Sequence, residues 1–410
     1  MRCTTTTLSK QPFFKFEILH TSTKSNARAG LLTTPHGTIK TPAFVPVGTN
    51  AALKCLPHQD VPGMELMFSN TYHLLLQPGL DIIQKAGGLH KFMNRDTPII
   101  TDSGGFQVFS LQHNGTLADE RSEIKRAQPK NNQSQGRVLT INEKGVSFRS
   151  YIDGSQMLLS PESSVDAQKV FGADIIIPLD ELPAHHISEA TLLSSLERTH
   201  RWEERSLQRH LQHVNNQAMY GVIHGSTSER MRTLSTNHLL QLPFDGYCIG
   251  GSLGKDAHDL KAILRTVMPL LLNDVQRRPV HLLGIGDEAG ILNGVLQGVD
   301  QFDSALPTKV ARHGTVFVDN QKIGHPVSRT ALPGTIPNRM NIRSSKFKDD
   351  YRPIDEECDC VACKNHSRAY LHHLVKAKEP VVHALLSHHN LRYTLKLMET
   401  QRDMILAGEL

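Results

Sequence analysis

The chain has 410 residues, 39% hydrophobic and 21% charged, with a net charge of +5 and six cysteines. At roughly 100 to 200 residues per domain this allows two to four domains, although a single α/β barrel with insertions reaches the same length. No apolar run approaches the ~18 residues of a membrane span. The N-terminus lacks an apolar stretch of signal-peptide length, and six cysteines in so long a chain make no disulfide scaffold, so a cytoplasmic globular protein is expected and collagen, coiled coil and wholesale disorder are excluded.

Eight short runs rich in β-branched residues follow one another along the chain: TPAFVPVG (41–48), ELMFSN (65–70), PIITDSGG (98–105), ADIIIPLDE (173–181), AMYGVIHG (218–225), FDGYCIGG (244–251), PVHLLGIG (279–286) and QFDSALP (301–307). Amphipathic segments of helix length separate most of them, and those beginning at Ser188 and Ser228 open with a residue suited to an N-cap. Strand–helix alternation implies a parallel sheet, and eight units predict a (β/α)₈ TIM barrel over residues 15–317. A doubly wound open sheet is the alternative pattern. Residues 113–136 are too polar to order themselves strongly and are expected to form a mobile surface insertion. The alternation in GVSFRSYIDGS (145–155) predicts a β-hairpin laid on the barrel. From about 318 to 410 the pattern changes to a basic, Pro-punctuated segment, a cysteine cluster and long helices, which reads as a C-terminal subdomain.

Charge is concentrated as well. Between Lys309 and Lys348 stand eight basic residues and one acid, Asp319, so this window carries +7 and the remainder about −2. Such a stretch suits a polyanion, because neutralising phosphates releases counterions; a solubilising surface is the plainer reading. At the ends of the strand runs lie Asp102, Asp180, His224, Gly251 and Asp303, the positions where a barrel holds its catalytic groups. Carboxylates are costly there unless used. Paired carboxylates are a standard means of breaking a glycosidic bond, one attacking or stabilising the anomeric carbon and the other handling protons. Cys358, Cys360 and Cys363 form C-x-C-x₂-C, and three thiolates need a fourth ligand to close a tetrahedral zinc site. Spacing alone leaves His366, His372, His373, His383, His388 and His389 open, with a chance thiol cluster as the bland reading.

The motifs FVPVGTNAALK, SNTYHLLLQPGLDIIQKAGGLHKFMN, TDSGGFQVFSL, FDGYCIGG and FDSALPTKVARHG, followed by C-x-C-x₂-C and HHN, together resemble the tRNA-guanine transglycosylases, the queuine tRNA-ribosyltransferase family, from about residue 15 to 400. The resemblance implies a zinc-bearing (β/α)₈ barrel that replaces guanine at the wobble position of GUN anticodons with a 7-deazaguanine, without ATP. It implies Asp303 as nucleophile on the ribose, leaving a covalent tRNA intermediate, and Asp102 as general acid/base. Asp180 is expected to accept hydrogen bonds from the base, with Ser103 and the Gly250–Gly251 backbone beside it and Phe106 and Leu283 sandwiching the ring. The wobble nucleotide must be flipped out to reach such a pocket, and Lys309 and Arg312 fall where anticodon-loop phosphates would lie. The family spacing from the third cysteine selects His389 as fourth ligand of one structural Zn²⁺ per chain, with His388 as fallback, and the family suggests a homodimer.

Three positions depart from the bacterial pattern. His224 stands where Gln is usual at the end of a strand, Leu182 where Cys often follows the recognition Asp, and GGSLGKD replaces the usual loop so that Ser252 and Gly254 change the pocket wall. A glycine at 254 in place of Val would open space for queuine over its 7-aminomethyl precursor. The competing readings are a hydrolytic retaining glycosidase and a noncatalytic tRNA-binding subunit of a heterodimeric transglycosylase.

Overall fold

The computed structural model describes residues 13–112, 138–183, 187–319 and 339–410. The polar stretch 113–136 lies outside them, as do Lys322 and Arg329 of the basic window.

All eight predicted strand runs are strands: β1 (Ala43–Pro46), β2 (Met67–Ser69), β3 (Ile99–Thr101), β4 (Ile175–Ile176), β5 (Ala218–Ile223), β6 (Gly246–Ile249), β7 (Val280–Leu282) and β8 (Gln301–Ser304). They form one sheet in the order β1-β8-β7-β6-β5-β4-β3-β2. The pairings are parallel, with Tyr220 to Ile223 opposite Gly246 to Ile249 and Gln301 to Ser304 opposite Ala43 to Pro46. Val47, just past β1, bridges Phe68 of β2, and the Gly48 amide donates to the Phe68 carbonyl at 2.7 Å. The sheet therefore closes on itself with every neighbour consecutive in sequence, which is a (β/α)₈ barrel and excludes the doubly wound alternative. Parallel strands covered by helices are buried on both faces, which is why β5 and β6 are buried at every residue.

The predicted helices begin where their caps stand. Glu189–Gln212 opens with the Ser188 side chain accepting from the Thr191 amide, and Glu229–Leu240 with Ser228 accepting from Met231. Two smaller sheets differ from expectation. The predicted hairpin is the centre of a three-stranded sheet, Val138–Asn142, Gly145–Arg149 and Gln156–Leu159, because Gly145–Arg149 pairs on both sides. Before the barrel, Lys15–Thr21, Arg28–Thr34 and Gly37–Thr41 form a three-stranded sheet that the strand pattern did not announce.

The chain divides into two compact units. In one, within Met1–Leu19, Gly30–Lys40 and Asn70–His281, Trp202, Tyr72, Phe148 and Leu179 share a core beneath the Val138–Leu159 sheet. In the other, His20–Ala29, Thr41–Ser69 and Leu282–Leu410, the buried Arg28 guanidinium grips Asp300 at the foot of β8 with contacts of 2.9 and 2.5 Å. There too Val316, Ile342, Phe347, Ile354 and Leu386 gather around Cys360 and Cys363. Among the described residues no helix is long and apolar enough to cross a membrane.

Candidate active site

Asp102 follows β3 directly, and both oxygens of its carboxylate are solvated by the protein. Oδ1 accepts from the Thr71 amide at 2.7 Å and the Gly104 amide at 3.2 Å; Oδ2 accepts from Asn70 Nδ2 at 2.6 Å and Gln107 Nε2 at 3.0 Å. Four donors favour the anion, yet burial of the carboxyl outweighs them and pushes its pKa up to about 6. A carboxyl at that value holds and releases a proton near neutrality, which is what a general acid/base needs. Asn70 is itself the first residue after β2, so the strand-end rule reaches it, although the sequence pattern singles out neither Asn70 nor Gln107.

A second cluster lies beside it in the same unit. The buried Ser103 hydroxyl donates to Asp180 Oδ1 at 3.2 Å, and His224 Nε2 meets Asp180 Oδ2 at 2.7 Å. His224 follows β5 and is only 5% exposed, whereas Asp180 keeps 17%. The other side of the imidazole is closed by Gly251, where a Cβ would come within 2.8 Å of His224 Nδ1 and the backbone stands at φ +70. Glycine is required there both for its φ and for the ring it lets in. Gly250 and Gly251 follow β6, and Phe106 is 47% exposed. At Gly254, φ is +84 and a Cβ would meet that of Asp259 at 2.1 Å. The turn itself demands glycine at 254, independently of any pocket volume, and Leu182 is buried in the Trp202 core.

In the other unit Asp303 sits within β8, 8% exposed, and its Oδ1 accepts from the Gly284 amide at 3.1 Å. Leu283 follows β7 and is half-buried; Lys309 and Arg312, on and just after the helix Leu306–Ala311, are also half-buried.

Cys358, Cys360, Cys363 and His389 come together as one cluster. His389 Nδ1 stands 3.7, 3.6 and 3.3 Å from the three sulfurs in turn. Ligands at ordinary zinc–sulfur and zinc–nitrogen bond lengths in a tetrahedron are separated by about 3.6 Å, so the donor set fits that metal without rearrangement. His389 Nε2 meets the Phe317 carbonyl at 2.8 Å, fixing the ring as metal-bound histidines are commonly fixed. His388 Nε2 stands 2.6 Å from the Asp60 carbonyl, and His372 bonds the Ile342 carbonyl. The next residue, Asn390, donates from Nδ2 to the Pro307 and Thr315 carbonyls, both at 3.0 Å, and accepts from the Phe317 amide at 2.8 Å. A further group, His36, His90 and Asp174, brings possible ligand atoms together. Its two imidazoles, however, stack 3.5 Å apart at 14°, and parallel rings cannot aim in-plane lone pairs at one ion.

A closed parallel barrel with carboxylates at the ends of its strands, together with a Cys₃His cluster that could hold a metal ion, is the architecture of an α/β-barrel enzyme. Residues 22–410 match the family described as "Queuine tRNA-ribosyltransferase". Proteins named queuine tRNA-ribosyltransferase from Protochlamydia amoebophila, Chlamydia caviae and Chlamydia trachomatis serovar A are 48%, 46% and 45% identical, the alignments covering 96%, 97% and 96% of this chain and 95%, 99% and 98% of theirs. The chain belongs to the queuine tRNA-ribosyltransferase family and is a pentosyltransferase.

Proposed function

We propose that this enzyme exchanges guanine at the wobble position of GUN anticodons for queuine or its 7-aminomethyl-7-deazaguanine precursor. The observation that carries the reading is Asp102: four donors hold its carboxylate in place, and burial nonetheless brings its pKa to about 6. In the proposed double displacement the Asp303 carboxylate attacks C1′ of the ribose, the bond from C1′ to guanine breaks, and protonated Asp102 supplies the leaving base with its proton. The incoming base then gives a proton to ionised Asp102 as it attacks C1′ and expels Asp303. Two inversions retain the anomeric configuration, and the glycosyl ester keeps the bond energy, so ATP is not needed.

Asp180, steadied by Ser103 and His224, accepts hydrogen bonds from the base edge; the Gly250–Gly251 backbone approaches it, and Phe106 and Leu283 cover its faces. Gly254 supplies the turn of the adjoining wall. Lys309 and Arg312 meet anticodon-loop phosphates, and two copies of the chain act as a homodimer in the cytoplasm. Zn²⁺ is held by Cys358, Cys360, Cys363 and His389; four protein ligands leave no open position, so the ion organises the chain and stays out of the chemistry.

Incubating purified chain with unmodified tRNA of GUN anticodon and labelled guanine tests the reading: the label should enter tRNA, and a protein–tRNA adduct dependent on Asp303 should survive a denaturing gel. No incorporation by the chain alone would leave the binding-subunit reading in its place. Release of free guanine with tRNA left abasic would instead indicate a hydrolase. Competition between queuine and the aminomethyl precursor for release of labelled guanine identifies the preferred base.

A further inference from the structure

The loops after β5 and β6 carry His224 and the Gly250–Gly251 backbone, and both are tied to one buried side chain. Arg232, on the helix Glu229–Leu240, is wholly buried and its guanidinium meets backbone carbonyls. Nε donates to the Ser226 carbonyl at 2.8 Å; Nη1 donates to Ile223 at 2.7 Å and Gly250 at 2.9 Å; Nη2 donates to Ser252 at 2.8 Å. Burial lowers its pKa to about 9, so it keeps its charge at neutral pH. The planar fork of a guanidinium is the side chain able to address several carbonyls at fixed angles. Gly225 lets the loop lie on the helix: a Cβ there would stand 2.5 Å from the Arg232 amide nitrogen.

We propose that Arg232 is a positioning residue for base recognition, which fixes the peptide planes of the loop after β6 so that the amides of Gly251 and Leu253 are presented as donors on the side away from the guanidinium. The inference rests on the proposed function, because it assumes that this loop meets a nucleobase. The peptide bonds at 250–251 and 252–253 are trans, the cis bonds of the described residues being Thr41–Pro42 and Gln77–Pro78. In a planar trans peptide the carbonyl and the following amide point in opposite directions. Holding the Gly250 and Ser252 oxygens on Arg232 therefore turns the next two N–H groups away from it. Gly251 also abuts His224, whose Nε2 meets Asp180. Arg232 thus sets one donor loop beside one acceptor carboxylate without touching the ligand. A base that offers a carbonyl beside an N–H edge is the chemical class such a pair recognises.

Arg232→Lys keeps the charge but gives up the fork. In guanine exchange into unmodified tRNA, the variant should raise KM for free guanine at least tenfold while its Kd for tRNA stays within twofold of wild type. Arg232→Gln, with fewer donors, should raise it further. KM for guanine within twofold of wild type, or guanine KM and tRNA Kd worsening together, would overturn the assignment. Should both variants fail to fold, the unaltered protein still decides the matter: guanine should shift the Gly251 and Leu253 amide resonances in ¹⁵N-labelled wild type, and unmoved resonances refute the proposal. Wild type that exchanges no guanine at all would refute the functional reading beneath it. Exchange by wild type with unchanged KM in Arg232→Lys would refute the role of Arg232 alone.

Discussion

Replacing Asp102 by Asn separates proton transfer from architecture. Oδ1 of Asp102 receives two backbone amides, Thr71 and Gly104, which cannot change sign, so the oxygen of the introduced amide must take that place. Its NH₂ then faces Asn70 and Gln107, whose amides can rotate to offer oxygen instead of nitrogen. The fold and tRNA affinity should survive, while loss of the transferable proton should slow exchange by roughly 10²- to 10⁴-fold. Stability supplies a second readout. The folded pKa of about 6 lies above the ordinary aspartate value of 3.8, so between these values the native state binds more protons than the unfolded state. Native stability from this group is therefore greatest below pH 4 and falls as pH rises through 6, by about 3 kcal/mol for a shift of roughly two pKa units. The amide of the Asp102→Asn variant does not titrate. Urea unfolding of both proteins between pH 4 and pH 7.5 should show their difference moving by about that amount in favour of the variant, with most of the change complete by pH 6. A pH-independent difference would mean that Asp102 ionises normally in the fold, and undiminished turnover would remove it from proton transfer altogether.

Other consequences are equally open to measurement. Purified protein should contain about one zinc per chain, and Cys360→Ser should increase hydrogen exchange in residues 339–390 before it alters the Asp102 cluster; a metal-free protein of full activity would contradict this. Arg28→Met removes the guanidinium that pairs with buried Asp300 and should cost about 3 to 5 kcal/mol, read as a lowered urea midpoint. His224→Ala removes the hydrogen bond that steadies Asp180 and should raise KM for guanine about tenfold, whereas the same KM in the variant would make His224 a filler of the wall. Replacing Lys309 and Arg312 by Ala should weaken tRNA binding and reduce its salt slope by roughly 0.7 to 1 for each lost phosphate contact; an unaltered slope would place neither on the nucleic acid.

The barrel was legible because most of its strands are buried on both faces and so appear as short apolar runs, several of them followed directly by a polar residue or glycine such as Asn70, Asp102, His224 or Gly250. The sheet at Lys15–Thr21 was not, since no residue of that strand is fully buried and the alternation in KFEILHT is broken at Leu19, an exposed apolar residue beside Ile18. The three cysteines of the cluster could be read as candidate metal ligands from their spacing. The histidine could not, and the choice of His389 came from the family resemblance; the geometry brings its Nδ1 to the three sulfurs and sends His388 to Asp60. The partnership of Asp180 with His224 joins residues 44 apart through the closure of neighbouring strands, information that no local window contains. Arg232 was hidden for a different reason. A charged residue in ERMRTLSTNHLL reads as part of a solvated helix face, and only the convergence of four carbonyls from two loops explains why it is buried.

The side chain of Asn390 has a bearing on how the enzyme is born. It holds the carbonyls of Pro307, in the helix Leu306–Ala311 that follows β8, and of Thr315, together with the Phe317 amide, and it is next in sequence to His389 of the Cys₃His cluster. Ribosomes deliver chain from the N-terminus, so the segment that follows Asp303 emerges more than seventy residues before the group that fastens it. A nascent chain can assemble most of its strands and still lack the latch. A polypeptide released before residue 390 would lack the side chain that ties Pro307, Thr315 and Phe317 together.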